Sequence, residues 1–170
     1  KKMSEQAAAV AARAVKSCGA RLEIRFTGCT EQEMRQWLGI GAEYTDQGSG
    51  DLGCRMGAAT ARAFEQGYRR LVIVGADCPA LTKEHLARAL DMLAEKDLVI
   101  GPSVDGGYYL IGLSRPSPEI FYEIPWGGPG VATATIARAA ELGLTTSFLD
   151  KLHDIDNPED LNHIADYPLP

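Results

Sequence analysis

Leu71-Val72-Ile73-Val74-Gly75-Ala76-Asp77-Cys78-Pro79 is the stretch that decides the fold. Its apolar run, rich in β-branched residues and closed by Gly75, is too short for a buried helix. Such a run reads as a strand covered on both faces, as in a parallel α/β sheet. Ligands of open α/β sheets bind beyond the carboxyl ends of the strands, and Asp77 stands at such an end. Gly75 and Ala76 beside it are small enough to let something large approach. The other role open to Asp77 is to cap the turn before the next helix.

Working outward, the strands and helices alternate. Downstream, Thr82 caps a helix whose stripe is Leu86, Ala89, Leu90 and Leu93, with Leu81 and Leu86 as a hydrophobic staple. His85 falls in its first turn, facing solvent. Residues 97–101 form a second buried strand and 108–113 a third. A helix over 131–142, with Ala132, Ile136, Ala139 and Ala140 on one face, precedes a last strand at 145–149. Asn157 caps a terminal helix with Pro158 in its first turn. Upstream, a helix from Leu52 carries Leu52, Met56, Ala59 and Ala63 on one face. Residues 21–26 alternate as a half-buried strand, Thr30 and Glu33 make a capping box, and 42–46 form a short strand. The first helix, capped by Ser4, shows a stripe of Ala7, Val10, Ala11, Ala14, Val15 and Cys18 before Gly19 stops it. Trp37 reads as core or helix packing. The whole chain, 1–170, reads as one α/β domain.

Composition narrows the function. A chain of 170 residues buries most of its apolar surface without disulfides or metals as staples. The net charge of −6 and the lack of any Lys/Arg cluster argue against nucleic acid as a partner, but not against a single nucleotide held through a metal. No apolar run approaches the roughly 18 residues of a membrane span, and no signal-peptide pattern opens the chain. Cys18, Cys29, Cys54 and Cys78 are too scattered for a CxxC metal pair and read as reduced thiols, which makes the expected location cytoplasmic.

Polar and glycine clusters fall at the predicted strand and loop ends. If Asp77 converges with Asp156 or Asp154, two hard oxygen ligands meet without His or Cys, a set that suits Mg²⁺ or Mn²⁺. Such an ion completes its shell with water and phosphate oxygens, which points to a nucleotide. Gly48-Ser-Gly-Asp-Leu-Gly53 leads into a helix N-terminus, where free N–H groups attract anions, with Arg55 as a further anion partner. Asp51, however, can cap that helix itself and compete with a phosphate. Asp105-Gly106-Gly107 is either a plain hairpin turn or part of a site, the latter suggested by the crowding of Pro102, two glycines and two tyrosines around one acid. Trp126, among Pro and Gly, is either a packing anchor or a platform for a base or sugar.

Five motifs occur in order: Gln47-Gly-x-Gly-Asp-Leu-Gly-x-Arg-Met56, Gly75-Ala-Asp-Cys-Pro-Ala-Leu81, Gly101-Pro-x-x-Asp-Gly-Gly-Tyr-Tyr-Leu-Ile-Gly112, Ile124-Pro-Trp126 and Asp154-Ile-Asp-x-Pro-Glu-Asp-Leu161. Together they resemble the bacterial family DUF2064, a glycosyltransferase-like group with more distant nucleotidyltransferase relatives. The resemblance spans about residues 44 to 163. It implies a three-layer α/β/α domain with a mostly parallel sheet, the GT-A-like fold of nucleotide-diphospho-sugar transferases. It implies a divalent metal on Asp77 and Asp156, or Asp154, and catalytic roles for Asp77 and Asp105. Gln47, Gly50, Arg55, Gly106, Gly107, Tyr108 and Trp126 are the matching substrate-side positions. Members of this family usually begin with a strand and a Pro-Gly-x-x-Lys-Thr-Arg-Leu-like loop. Here only Lys1-Lys2-Met3 precedes the first helix, so that strand and loop are expected to be either absent from the protein or outside this sequence. Gly127-Gly128 replaces the usual Ser-Thr-like pair after Trp126, and Asn157 stands where Thr is common.

The expected activity is metal-dependent transfer of a glycosyl or nucleotidyl group from a nucleotide-sugar or nucleoside triphosphate to a small-molecule acceptor. The rival expectation is a non-catalytic nucleotide- or sugar-phosphate-binding module of the same fold. A haloacid-dehalogenase-type phosphatase fits less well, because Asp77 lacks the Asp-x-Asp pattern.

Overall fold

The computed structural model describes residues 2–153. Five α-helices and six strands alternate: α1 (Lys2–Cys18), β1 (Glu23–Phe26), α2 (Glu31–Leu38), β2 (Glu43–Asp46), α3 (Leu52–Glu65), β3 (Leu71–Val74), α4 (Lys83–Met92), β4 (Leu98–Pro102), β5 (Tyr108–Leu113), α5 (Val131–Glu141) and β6 (Thr146–Phe148). A 3-10 turn, Pro118–Phe121, lies between β5 and α5.

The described strands form two sheets. β1 and β2 pair in parallel, and β3-β5-β4-β6 make a second sheet. In the latter, β5 runs against both β3 and β4, while β4 and β6 are parallel. Three of its four strands therefore point the same way, and their carboxyl ends share one edge with the start of β5.

Side-chain alternation along these strands separates the helical layers. Val72, Val74, Val99 and Leu110 face a core shared with Val10, Ala11 and Ala14 of α1 and with Leu86 and Ala89 of α4. Ile73, Leu98, Ile100, Ile111 and Leu113 face the other side, against Met56 of α3, Ile120 and Phe121 of the 3-10 turn, and Ala139 of α5. The architecture is helix, sheet, helix. A smaller cluster of Phe26, Met34 and Tyr44 belongs to the β1-α2-β2 unit.

Several local signals hold. Thr30 and Glu33 form the capping box, Thr30 N–H donating to Glu33 Oε2 at 2.7 Å. Gly19 ends α1 with positive φ as expected, and Gly39, which the sequence reading does not single out, ends α2 in the same way. Trp37 Nε1 donates to Glu5 Oε1 at 2.6 Å, so this Trp joins α2 to α1 at the surface.

Other readings need correction. β3 is half-buried throughout, because among the described strands it has a neighbour on one side only, β5. β4, flanked on both sides, has its apolar residues fully covered. Ser4 does not cap α1, which is already helical at Lys2; Val15 is only half-buried and Cys18 is exposed. The buried face of α3 is Gly53, Met56, Gly57 and Thr60, with Leu52 exposed. The small residues on that face let the 3-10 turn lie close against the helix. In α5 the buried residues are Val131, Thr135 and Ala139, whereas Ile136 and Ala140 are exposed. Thr135 tolerates full burial because its hydroxyl donates to Val131 O at 2.9 Å. His85 is half-buried, not solvated: its Nδ1 accepts the Thr82 N–H at 3.1 Å and its ring meets Tyr109 edge-on.

Candidate functional site

Two of the predicted residues, Asp77 and Asp105, lie at the shared sheet edge. Gly75, just after β3, donates its N–H to Tyr109 O at 2.9 Å, so β3 ends beside the start of β5. Asp77 follows on an exposed turn. Among the described residues its carboxylate has no hydrogen-bond or ion-pair partner, and α4 is capped instead from Thr82, so Asp77 is not the helix cap. The turn is anchored from α1, where Gln6 Nε2 donates to Pro79 O at 3.0 Å. Cys78 is buried, and its Sγ lies 3.6 Å from His153 O. The chain just before Asp154 thus passes the residue next to Asp77. Asp154, Asp156 and Asn157 themselves lie outside the described residues.

The β4–β5 turn carries the second carboxylate. Asp105 Oδ1 accepts from Ser103 Oγ at 2.6 Å and from Gly107 N–H at 2.9 Å. Its Oδ2 has no partner among the described residues. Gly106 adopts φ +94 and sits against the backbone of Pro129, where a Cβ would collide with Pro129 O. The turn is thus both the hairpin connection and a fixed mount for Asp105.

Beside it opens a cavity of about 400 Å³ lined by Leu52, Ser103, Asp105, Gly107, Tyr108, Trp126, Gly127, Gly128, Pro129 and Val131. Trp126 and Tyr108 meet edge to face, centroids 6.4 Å apart and planes at 84°. Trp126 is both packing anchor and wall: it packs against the core, and its Nε1 fits over Gly53, where a Cβ would lie 2.6 Å away. Among the described residues the Tyr108 hydroxyl is buried without a partner of hydrogen-bond geometry. Burial drives its pKa far above the usual phenol value, offset only in part by the Thr135 side chain, so the phenol stays neutral.

Of the glycine-rich stretch that opens α3, only Leu52 reaches the cavity. Asp51 caps α3, its Oδ1 accepting Cys54 N–H at 2.8 Å, and this bond holds its pKa below the usual carboxylate range. Arg55 donates to Gln47 Oε1 at 2.7 Å and to Asp51 O at 3.2 Å. Gln47 Nε2 in turn reaches Arg25 O at 3.3 Å. Gly50, with φ +96, presses close to Cys54. Gln47, Gly50 and Arg55 therefore tie β2 to α3 and do not line the cavity. Ser103, Leu52 and Val131 are lining residues that sequence reasoning missed. Ser103 had a signal, a hydroxyl two residues before the acid. Leu52 was assigned to the buried helix face, and nothing in the pattern around Val131 pointed to a cavity.

A divalent ion fits the donors present only in part. Asp77 is an unpartnered hard oxygen donor at the edge, but no group of three or more metal-binding side chains exists among the described residues. Nor is any helix among them long and apolar enough to cross a membrane.

Known proteins place this geometry in a family. Residues 10–128 match the family described as "Uncharacterized protein conserved in bacteria (DUF2064)". The phosphoenolpyruvate guanylyltransferase of Chloroflexus aurantiacus is 28% identical over 140 residues, covering 79% of this chain and 62% of that protein. The 2-phospho-L-lactate guanylyltransferase of Methanocaldococcus jannaschii is 34% identical over 110 residues, covering 62% and 47% respectively. The chain thus spans less than two thirds of either relative. A crystal structure from Desulfovibrio desulfuricans G20, provisionally assigned as a nucleotide-diphospho-sugar transferase, superposes with a TM-score of 0.86 at 31% identity, covering 96% of this chain and 73% of that one. A 4-diphosphocytidyl-2C-methyl-D-erythritol synthase shares the fold alone, at TM-score 0.61 and 12% identity, covering 95% and 86%. With its three-layer sheet and these matches, the chain belongs to the DUF2064 family and has the fold of the nucleotide-diphospho-sugar transferases.

Proposed function

We propose that this protein is a nucleotidyltransferase that joins a nucleoside monophosphate to the hydroxyl of a small acceptor. The observation that carries the reading is the sheet edge, where Asp77, without a side-chain partner among the described residues, and Asp105, on its braced turn beside a cavity, stand at the ends of adjoining strands. The guanylyltransferase relatives favour nucleotidyl over glycosyl transfer and make GTP the first donor to test.

In this reading the acceptor sits in the cavity with its hydroxyl at Asp105. The hydroxyl oxygen bonds to the α-phosphorus as the bond to the α–β bridging oxygen breaks, and pyrophosphate leaves with that electron pair. Asp105 Oδ2 takes the hydroxyl proton. Asp77, with Asp156 or Asp154, would hold Mg²⁺ or Mn²⁺, which supplies charge neutralisation for the triphosphate. The Ser103 and Gly107 donors fix the Asp105 carboxylate, so its orientation needs no adjustment during the reaction.

The test is product identity with nucleoside triphosphates and Mg²⁺ or Mn²⁺. Pyrophosphate release supports nucleotidyl transfer. Nucleoside diphosphate released from a nucleotide-sugar supports the second reading, glycosyl transfer, which the Desulfovibrio neighbour favours. Asp77→Ala is expected to lower turnover on the order of 10²–10³-fold, the usual loss for one group that stabilises transition-state charge. Its melting temperature should stay unchanged, since Asp77 is exposed and has no partner among the described residues. Full turnover in that variant would refute the assignment.

A further inference from the structure

We infer that the acceptor taken by the Asp105 cavity is an alcohol without phosphate or carboxylate, either an uncharged polyol or an amino alcohol. This rests on the nucleotidyltransferase reading and deepens it. The two relatives are named for acceptors of the opposite kind, phosphoenolpyruvate and 2-phospho-L-lactate. Both of those compounds carry a phosphate and a carboxylate.

Charge is the first ground. None of the described lining residues is Lys, Arg or His, and the one carboxylate among them is Asp105. An anion brought here meets a like charge in a partly desolvated space with no described cation to offset it. Arg55, nearest in sequence to the α3 end of the cavity, is turned to Gln47 and the Asp51 carbonyl.

The second ground is the helix termini, which elsewhere attract anions through unsatisfied N–H groups. Leu52 and Val131 open α3 and α5, so both helix starts border the cavity. At α3 the Asp51 carboxylate already occupies the end as its cap. At α5 the Val131 N–H donates to Gly128 O at 3.4 Å and the Ala132 N–H to Gly106 O at 2.9 Å. The chain's own acceptors have taken these positions.

What remains available is complementary to hydroxyl or ammonium hydrogens. Asp105 Oδ2 accepts from nothing in the described protein, while Oδ1 is held by two donors. The rings of Trp126 and Tyr108 form walls on which the carbon face of a polyol packs, or against which an ammonium group gains cation–π attraction.

The full-length protein is tested in two arms. In the first, pyrophosphate release from GTP, ATP, CTP and UTP is measured with glucose, myo-inositol, ethanolamine, phosphoenolpyruvate and 2-phospholactate. In the second, the same five compounds are titrated against Trp126 fluorescence in a Trp37→Phe background, which leaves Trp126 as the sole tryptophan. Binding of at least one alcohol, tenfold or more tighter than either phosphorylated acid, is the expected result. Asp105→Lys should reverse that order by placing a cation where the carboxylate was, and a binding preference for polyol over amino alcohol, or the reverse, separates the two sources. Tighter binding of phosphoenolpyruvate or 2-phospholactate to the unsubstituted cavity overturns the inference, as does no response to any alcohol. Absence of pyrophosphate in every reaction, with alcohol binding intact, refutes nucleotidyl transfer and leaves the acceptor class standing.

Discussion

At Tyr108 a hydroxyl is buried without a partner of full hydrogen-bond geometry among the described residues, the Thr135 side chain interacting with it only weakly. A buried unsatisfied hydroxyl costs about 1–3 kcal/mol, so Tyr108→Phe is expected to raise unfolding stability by roughly 1 kcal/mol in a urea titration. Gly53 is the opposite case. A methyl there meets Phe121 O at 2.7 Å and Trp126 Nε1 at 2.6 Å, and the former is backbone that cannot swing aside. Gly53→Ala should therefore cost about 1–3 kcal/mol as an overpacking substitution and weaken acceptor binding by displacing Trp126; a denaturant series and the Trp126 titration check both. The residue scale is also where sequence reading divides most sharply. Asp105 is legible because one acid stands among Pro, Gly and Tyr between two apolar runs. Gly53 is not, since its smallness matters only through Trp126, more than seventy positions away.

Among the elements, α4 carries a titratable cap. His85 Nδ1 accepts the Thr82 N–H only when unprotonated, and burial lowers the His85 pKa from its ordinary value, more than the nearby Asp150 and Glu84 raise it. The unfolded chain then binds the proton more readily than the folded one. The stabilisation is complete above about pH 6.5, the unfolded value, and is lost as pH falls through the lower folded value. Replacing His85 by Gln, which keeps an acceptor at this position without titrating, should flatten stability between pH 7.5 and pH 5 in urea melts, whereas His85→Ala should cost about 1 kcal/mol at pH 7.5 and less at pH 5. The helix and its Thr82 start are visible in sequence, but the part His85 plays is not, because His is an uncommon stand-in for the Glu or Gln of a capping box. The faces of α3 and α5 mislead for a related reason. Hydrophobic spacing favours Leu52 and Ile136, but close approach selects Gly53 and Gly57, and a self-satisfied hydroxyl allows Thr135 inside.

Across the whole molecule, the layers follow from apolar runs and periodicity, so most elements are read within a residue or two. The order β3-β5-β4-β6 is not, because strand order depends on contacts that no local pattern encodes. The reading of β3 as buried on both faces goes astray for that reason: Leu71 to Val74 have the composition of a central strand but a neighbour on one side only among the described strands. The division into two sheets has a measurable result. Phe26, Met34 and Tyr44 are the three buried residues of the β1-α2-β2 cluster, against thirteen around α1 and α4. Native-state hydrogen exchange should show the amides of β1 and β2 opening at lower free energy than those of β4 and β5, as a separate cooperative unit. Equal protection of all four strands would show that the sheets unfold together.

The placement of β5 has a kinetic consequence. The turn carrying Asp105 joins two strands adjacent in both sequence and space, so closing it needs only a short loop. Asp77 reaches the same edge only after β3 has crossed more than thirty positions of chain to dock on β5. The Asp105 turn can thus take shape during the first collapse of the chain, while Leu52 of the cavity wall and the carboxylate at the end of β3 arrive with the slower, longer-range pairing. An early folding species would hold Asp105 on its braced turn before Leu52, Trp126 and Asp77 had reached it.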